Sequence, residues 1–135
     1  MQVNPHLTFK GECEAAFRFY ERCLGGKIVA MMTYGESPMA GETEPARRDR
    51  ILHATLALGE YRITGGDVPA ENYEKPQGFS VFLNVDSAAE AVRIFNALAQ
   101  GGRVQIAMRE TFWAQRFGML VDRFGTPWLI NCRRA

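Results

Sequence analysis

The chain has 135 residues, and its sixteen Lys and Arg side chains against fifteen Asp and Glu give a formal net charge of +1. So small a charge creates no field that would attract nucleic acid or an anionic membrane. Hydrophobic residues make up 47% of the chain, yet no run is long enough to span a bilayer. The N-terminal MQVNPHLTFK also lacks the apolar stretch of a signal peptide. We therefore expect a cytoplasmic protein with no nucleic-acid or membrane partner.

The cysteine pattern excludes two kinds of stabilising site. Cys13, Cys23 and Cys132 are odd in number and have no C-x-x-C spacing. This pattern argues against both a disulfide framework and a zinc site. We predict three reduced, buried thiols.

The first half of the chain predicts one helix among four strands. A strand at residues 3–9 precedes EAAFRFYERCLGG, in which apolar residues recur at steps of three and four. Gly11 and Glu14 are placed to cap this helix, and Gly25-Gly26 to end it, because glycine reaches the left-handed C-cap conformation at little cost. Three strands follow at 27–34, 50–58 and 61–64. Gly65-Gly66-Asp67 is predicted to be a turn.

Two connecting segments stand out by composition. GESPMAGETEPARRD, residues 35–49, is rich in Gly, Pro and charge, and we expect a mobile surface connection, with a lid over a cleft as the less favoured hypothesis. PAENYEKP, residues 69–76, has the composition of a linker. We place the boundary between two modules there.

The second half repeats the order of the first. A strand at 79–85 precedes a helix that includes AEAVRIFNALAQGG, where Ser87-x-x-Glu90 forms a capping box and Gly101-Gly102 a stop. Strands are predicted at 103–108, 118–123 and 127–132. The chain therefore reads strand, helix, three strands, twice. One such unit is too small to cover its own sheet, so the pattern predicts two paired units in an α+β fold.

The segment ETFWAQRFGMLVDRFGTPWLINC, residues 110–132, carries the pattern E-T-F-W-A…F-G…D-x-F-G-x-P-W-x-I-N, and FKGECEAAFRFYERCLGG stands in the first half. Over essentially its whole length the chain resembles the PhnB-like group of the glyoxalase, bleomycin-resistance and extradiol-dioxygenase superfamily, the vicinal oxygen chelate proteins. The resemblance implies two paired βαβββ modules with curved mixed sheets around a cleft. It places the modules at 1–68 and 78–135, with a linker at 69–77, and implies a homodimer.

Metal enzymes of that superfamily hold an ion with His, Gln or Glu on the first and last strands of each module. The matching positions here are His6, Thr64, Val81 or Phe82, and Asn131. Only His6 is a good ligand for a divalent ion, and Asn131 stands where glutamate would be expected. We therefore expect no catalytic metal and no other cofactor.

The aromatic segment supports two interpretations. Trp113 could stack on a planar ligand while Glu110 or Arg116 fixes its polar groups. Alternatively, Phe112, Trp113 and Phe117 fill the core or the seam of a dimer. Trp128 is predicted to be buried. His53 is expected in core packing or in a cross-strand hydrogen bond.

The favoured hypothesis is a metal-free protein that binds a small molecule. Its candidate ligand-binding residues are His6, Thr64, Phe82, Glu110, Trp113 and Asn131. The alternative is a metal-dependent lyase, isomerase or oxygenase, in which His6 and further ligands hold Zn, Mn, Ni or Fe. A dimeric scaffold without a ligand is a third possibility. The sequence has no G-x-G-x-x-G, so no cofactor loop supports a methyltransferase.

Overall fold

A strand, a helix and three further strands occur twice in the computed structural model, which describes Met1–Arg134 and is α+β. The first half consists of β1 (His6–Phe9), α1 (Cys13–Leu24), β2 (Lys27–Thr33), β3 (Ile51–Leu58) and β4 (Tyr61–Asp67). The second consists of β5 (Val81–Asn84), α2 (Ala88–Ala99), β6 (Arg103–Arg109), β7 (Ala114–Val121) and β8 (Pro127–Arg133). The predicted duplication is confirmed.

Each half forms its own four-stranded mixed sheet. The strand order is β1-β4-β3-β2 in the first and β5-β8-β7-β6 in the second. In both, the opening strand runs parallel to the last strand of its half, and the remaining pairs are antiparallel. The chain divides into two compact units, the first ending at Glu74 and the second beginning at Lys75. This division lies within residues 69–77.

Helix α1 covers one face of the first sheet and buries Ala16, Phe17 and Tyr20 there. Gly65 allows this close approach, because a Cβ atom at that position would lie 2.6 Å from the Phe17 ring. The predicted turn at 65–67 is therefore wrong: these residues end β4, and the glycines let the helix and neighbouring backbone come close. The helix itself ends at Gly25, whose φ of 75° is the predicted left-handed C-cap.

Asp67 caps the start of α1 from the far end of the first unit. Its carboxylate accepts hydrogen bonds from the backbone amides of Gly11 (2.8 Å) and Cys13 (3.1 Å), and of Ile51 at the start of β3 (2.9 Å). The expected cap from Gly11 and Glu14 is wrong, since Glu12 is the N-cap residue and makes no side-chain cap bond. The buried Asp67 carboxylate takes the place of the expected cap and accepts hydrogen bonds from amides that the helix leaves unpaired.

The second unit forms one half of the predicted capping box, since the Glu90 carboxylate accepts hydrogen bonds from Arg93 instead of from the Ser87 amide. The Ser87 side chain accepts a hydrogen bond from the Glu90 amide at the start of α2. Gly118 of β7 serves as Gly65 does in the first unit, since a Cβ there would meet Phe95 of α2 at 2.7 Å. Trp128 is fully buried, as predicted, and its indole bonds to the buried Asp122.

Residues 35–49 contain two short 3₁₀ turns, Ala40–Glu42 and Pro45–Arg47. Arg47 forms ion pairs with Glu44 and Glu71. The three cysteines are free and buried, as predicted. Among the described residues, neither twelve-residue helix has the length and apolar character needed to cross a membrane.

Candidate functional site

A polar row crosses the face of the first sheet that α1 leaves uncovered. His6 and Thr64 lie opposite each other in the parallel register of β1 and β4, and His6 Nδ1 is 2.7 Å from Thr64 Oγ1. Thr55 is the antiparallel partner of Thr64 on β3, and its Oγ1 lies 2.9 Å from Nε2 of His53. Strand alternation therefore gathers two imidazoles and two hydroxyls on one surface.

The environment of His6 favours its neutral form. Partial removal of the ring from water lowers the pKa of His6 below its usual 6.5, and the nearby charge of His53 lowers that pKa further. A neutral imidazole offers one donor and one acceptor, and Nδ1 is already engaged with Thr64. The row is thus suited to hydrogen bonding with a polar group.

His53 differs from its prediction. We expected core packing or a cross-strand hydrogen bond, but the side chain is exposed and bonds within its own strand, to Thr55. The alternating buried residues of β3 are Ala54 and Leu56, which face α1. His53 therefore lies on the opposite face, close enough to His6 to influence its charge.

The uncovered face of the second sheet carries two rows of different character. Phe82, Leu129 and Met119 are register partners across β5, β8 and β7, and they form an apolar row. Asn84, Asn131 and Phe117 are the partners in the next row. Trp128 and Ile130 alternate with these residues and lie under α2.

Asn131 is nearly inaccessible, with 4% of its surface exposed. Its Nδ2 donates a 3.0 Å hydrogen bond to Oδ1 of Asn84, which is exposed. Its own Oδ1 is buried and has no hydrogen-bond partner among the described residues. A buried amide oxygen left in this state costs free energy, about 1–3 kcal/mol.

Trp113 and Asn131 have a common neighbour, Phe117. The Trp113 ring meets Phe117 edge-on, with centroids 5.2 Å apart and an interplanar angle of 76°. Phe117 is in turn the register partner of Asn131. Trp113 is 44% exposed and Phe112 is 86% exposed. The alternative in which these two residues fill the core of the chain is therefore wrong.

Glu110 is engaged elsewhere. Its carboxylate forms an ion pair of 3.1 Å with Arg134, and both side chains are exposed. Arg134 also donates a 2.7 Å hydrogen bond to the carbonyl of Thr111. Arg116, the other polar candidate, donates to the carbonyl of Gln115. The Arg134 contacts tie the residue that follows β8 to Glu110 and Thr111, whereas the Arg116 bond lies within β7.

The six candidate residues thus fall into separate groups. His6 and Thr64 are bonded to each other, Trp113 and Asn131 share Phe117, Phe82 belongs to the apolar row, and Glu110 is in an ion pair. Sequence reasoning missed Asn84. The period of two along β5 could have found it, because that period places Phe82 and Asn84 on one face.

The residues at the superfamily's ligand positions do not fit a divalent ion. Within Met1–Arg134, no three His, Cys, Asp or Glu side chains lie close enough together to form a ligand set. At the matched positions, a threonine hydroxyl, a phenyl ring and a carboxamide accompany His6. These groups are weak ligands or none at all.

Comparison with known proteins agrees with this architecture. Residues 1–131 match the family model described as 3-demethylubiquinone-9 3-methyltransferase. Protein YjdN of Escherichia coli strain K12 is 31% identical over 139 residues, which cover 97% of this chain and 95% of YjdN.

Solved structures extend the likeness. Protein PA1353 from Pseudomonas aeruginosa is 44% identical with a TM-score of 0.91, over 100% of this chain and 99% of that one. A PhnB protein from Bacillus cereus is 23% identical with a TM-score of 0.82, over 98% and 99% of the two chains. A glyoxylase/bleomycin resistance protein/dioxygenase domain from Frankia sp. EAN1pec, 13% identical over 99% and 98% of the two chains, has a TM-score of 0.68 and shares the fold.

Proposed function

Because the chain belongs to the 3-demethylubiquinone-9 3-methyltransferase family and shares the fold of glyoxalase, bleomycin-resistance and dioxygenase domains, we propose a PhnB-like protein that binds a small molecule and works without a catalytic metal ion. The sequence offers no glycine-rich cofactor loop to support the methyl transfer in the family's name. The ligand binds on the uncovered face of the second sheet, beside Asn131 and Trp113.

The unpaired Oδ1 of Asn131 is the observation that carries this proposal. Buried polar atoms in folded proteins almost always have a hydrogen-bond partner, so an unpaired one calls for an explanation, and a bound ligand is one. A hydroxyl or N–H group of a ligand would give this oxygen its missing donor. Because the oxygen is closed off from solvent, binding requires the Asn131 side chain or a neighbouring group to move. The exposed Asn84 amide beside it adds polar groups at the surface.

The neighbouring aromatic rings support a planar ligand. Trp113 and Phe112 expose large apolar surfaces to water, which is unfavourable unless something covers them. An indole stacks well on flat rings, with offset or edge-on geometry. We therefore propose a planar aromatic ligand that carries a hydrogen-bond donor.

The donor set supports binding without a metal ion. Two imidazoles and a threonine hydroxyl, with no third His, Cys, Asp or Glu side chain placed to complete a ligand set in the described chain, do not match a divalent site. The alternative of a metal-dependent enzyme built on His6 needs ligands of another chemistry. Metal content separates the two hypotheses.

We also propose a homodimer. Strands β2 and β6 are edges of their sheets, and they expose Val29 and Met32 on β2 and Val104 on β6. Pairing across a two-fold axis would cover such edges. Light scattering should give twice the mass of the chain at micromolar concentration, and the mass of a single chain would contradict this part of the proposal.

The test of binding uses two probes that differ by one hydrogen-bond donor. We expect 2-naphthol to shift the Trp113 indole N–H resonance in ¹H–¹⁵N spectra, and 2-methoxynaphthalene to bind about tenfold more weakly, because it cannot pair with Asn131. A Trp113→Phe variant assigns the resonance. Equal affinities, or an unmoved resonance, would contradict the proposed site.

The test of metal independence uses protein purified without an affinity tag. We expect substoichiometric zinc, manganese, nickel and iron by mass spectrometry, and the same melting temperature with and without EDTA. Stoichiometric metal that is lost on chelation, with a large fall in melting temperature, would overturn the metal-free proposal in favour of the enzyme.

A further inference from the structure

A cleft of about 650 Å³ lies on the uncovered face of the second sheet, next to the Asn131 row. Its floor includes the apolar row Phe82, Leu129 and Met119. Residues 75–80 form part of its wall. The volume lies in the usual range for small-molecule sites.

The charges around this cleft have one sign. Lys75 and Arg103 line it, and no Asp or Glu does. Arg103 is the first residue of β6 and pairs with Val121 on β7, which pairs in turn with Pro127 on β8. Arg103 therefore lies at one end of this row of register partners. Neither cation has an ion-pair partner within residues 1–134. Two unneutralised cations therefore border an apolar floor.

We infer that this cleft binds an amphipathic anion, with the apolar body on the Phe82 row and the acid group between Lys75 and Arg103. The inference rests on the proposed function and deepens it, because it names a ligand class for the same sheet face. An apolar floor alone would accept any hydrophobe. The two cations favour hydrophobic ligands that carry one negative charge, such as a carboxylate or sulfonate on a ring or chain.

The cleft adds polar atoms that suit an acid group. Ser80, Gln77 and Gln105 also line it, and their side chains include hydroxyl and amide donors. Charge-assisted hydrogen bonds from Lys or Arg to a carboxylate are stronger than bonds between neutral groups. Because both cations are exposed, the preference they confer is modest and falls with salt.

The experiment compares two fluorescent probes with one ring system. 1-Anilinonaphthalene-8-sulfonate carries a sulfonate, and N-phenyl-1-naphthylamine lacks it. We expect the sulfonate to bind the wild-type protein about fivefold more tightly than the neutral amine, as two exposed ion pairs predict. Decanoate should displace the sulfonate, and decyltrimethylammonium should not. High salt should weaken only the anionic probe.

Variants assign the binding to this cleft. The double variant Lys75→Gln/Arg103→Gln should lose the preference for the sulfonate and keep its affinity for the amine. Phe82→Ala should weaken the binding of both probes, because it removes part of the apolar floor. Phe82 is exposed, so its removal leaves the core intact. Arg133→Gln removes an exposed cation that does not line the cleft and should change neither affinity. Near-ultraviolet circular dichroism confirms that each variant is folded.

The outcomes separate this inference from the proposed function. Equal binding of the two probes, or a double variant that behaves as wild type, overturns the inference. The proposed function survives that result if 2-naphthol still shifts the Trp113 resonance. Charge-dependent binding without that shift keeps the inference and overturns the Asn131 site. Probe affinity that falls as the protein is concentrated would place a second copy of the chain in the cleft, and would also overturn the inference.

Discussion

The indole Nε1 of Trp128 donates a 2.8 Å hydrogen bond to Oδ2 of Asp122, and both side chains are buried. The other oxygen of Asp122 accepts from the backbone amides of Phe124 and Thr126. One carboxylate thus fixes the turn between β7 and β8 and anchors the largest side chain under α2. A charged group is tolerated there because three donors surround it.

Replacing Trp128 with phenylalanine should therefore be costly. The change removes one of the three donors and leaves a space where the larger indole was, so we expect a loss of about 2–4 kcal/mol in the free energy of unfolding. Urea denaturation followed by circular dichroism measures this loss. Trp113→Phe is the matched control: Trp113 is 44% exposed, and we expect a change within about 0.5 kcal/mol. Similar losses in the two variants would contradict this account.

Gly65→Ala should destabilise the first unit. An added Cβ would lie 2.6 Å from the Phe17 ring and 2.8 Å from the Leu7 carbonyl oxygen, so α1 or β1 must shift. Overpacking of this kind costs about 1–3 kcal/mol. Thermal melting of the variant and wild type measures the difference.

Gly41→Ala is the control for that substitution. No atom lies within 4 Å of a Cβ built at Gly41, so the melting temperature should stay the same or rise slightly. A fall in melting temperature as large as that of Gly65→Ala would contradict the explanation by crowding against Phe17.

His6 should make the protein less stable on acidification. Its pKa in the folded protein is below 6.5, so the unfolded chain takes up the proton first as the pH falls. The stability that the neutral ring contributes is present above pH 6.5, and it is lost as the pH falls from there through the folded-state pKa. Melting temperatures at about pH 7.5 and about pH 5.5 should therefore differ less for His6→Gln than for wild type.

His53→Gln tests the cause of that shift. Removing the second imidazole abolishes its repulsion, so the pKa of His6 should rise toward 6.5 in an NMR titration of the ring protons. Burial would remain and hold the pKa below its usual value. An unchanged titration of His6 would contradict the electrostatic contact between the two histidines.

Asn131→Leu should separate stability from binding. Leucine removes an unpaired buried acceptor, but its methyl groups are bulkier than the carboxamide and crowd the site. These effects oppose each other, so we expect the free energy of unfolding to change by less than about 1 kcal/mol. The preference for 2-naphthol over 2-methoxynaphthalene should disappear. Asn84→Ala is the comparison, because Asn84 is exposed and its loss leaves the Asn131 amide with no partner. A marked loss of stability in Asn131→Leu would indicate a structural role.

The order of elements could be predicted because its signals are local. Each helix is signalled by residues within one short segment: an apolar stripe in α1 and in α2, and a glycine at the end of α1. Strand ends were less certain: β7 begins at Ala114, four residues before the predicted start of this strand at residue 118, because Gln115 and Arg116 show little apolar alternation. The pairing of Ala114 with Arg133 on β8 determines this start.

Contacts between distant residues could not be predicted from such patterns. Asp67 follows two glycines, the composition of a turn, but it bonds Gly11 from 56 residues away. The Asn84 and Asn131 amides meet only because β5 and β8 pair in one register. The resemblance placed Asn131 near a cavity, whereas its unpaired oxygen depends on side-chain geometry that no sequence pattern encodes.

Asp67 also affects the order in which the first unit folds during synthesis. It is the last residue of β4, and its carboxylate serves amides at the start of α1 and of β3. A nascent chain that has not yet reached residue 67 lacks the acceptor for Gly11, Cys13 and Ile51. We therefore expect this unit to complete its hydrogen bonds during synthesis only after Asp67 has left the ribosome.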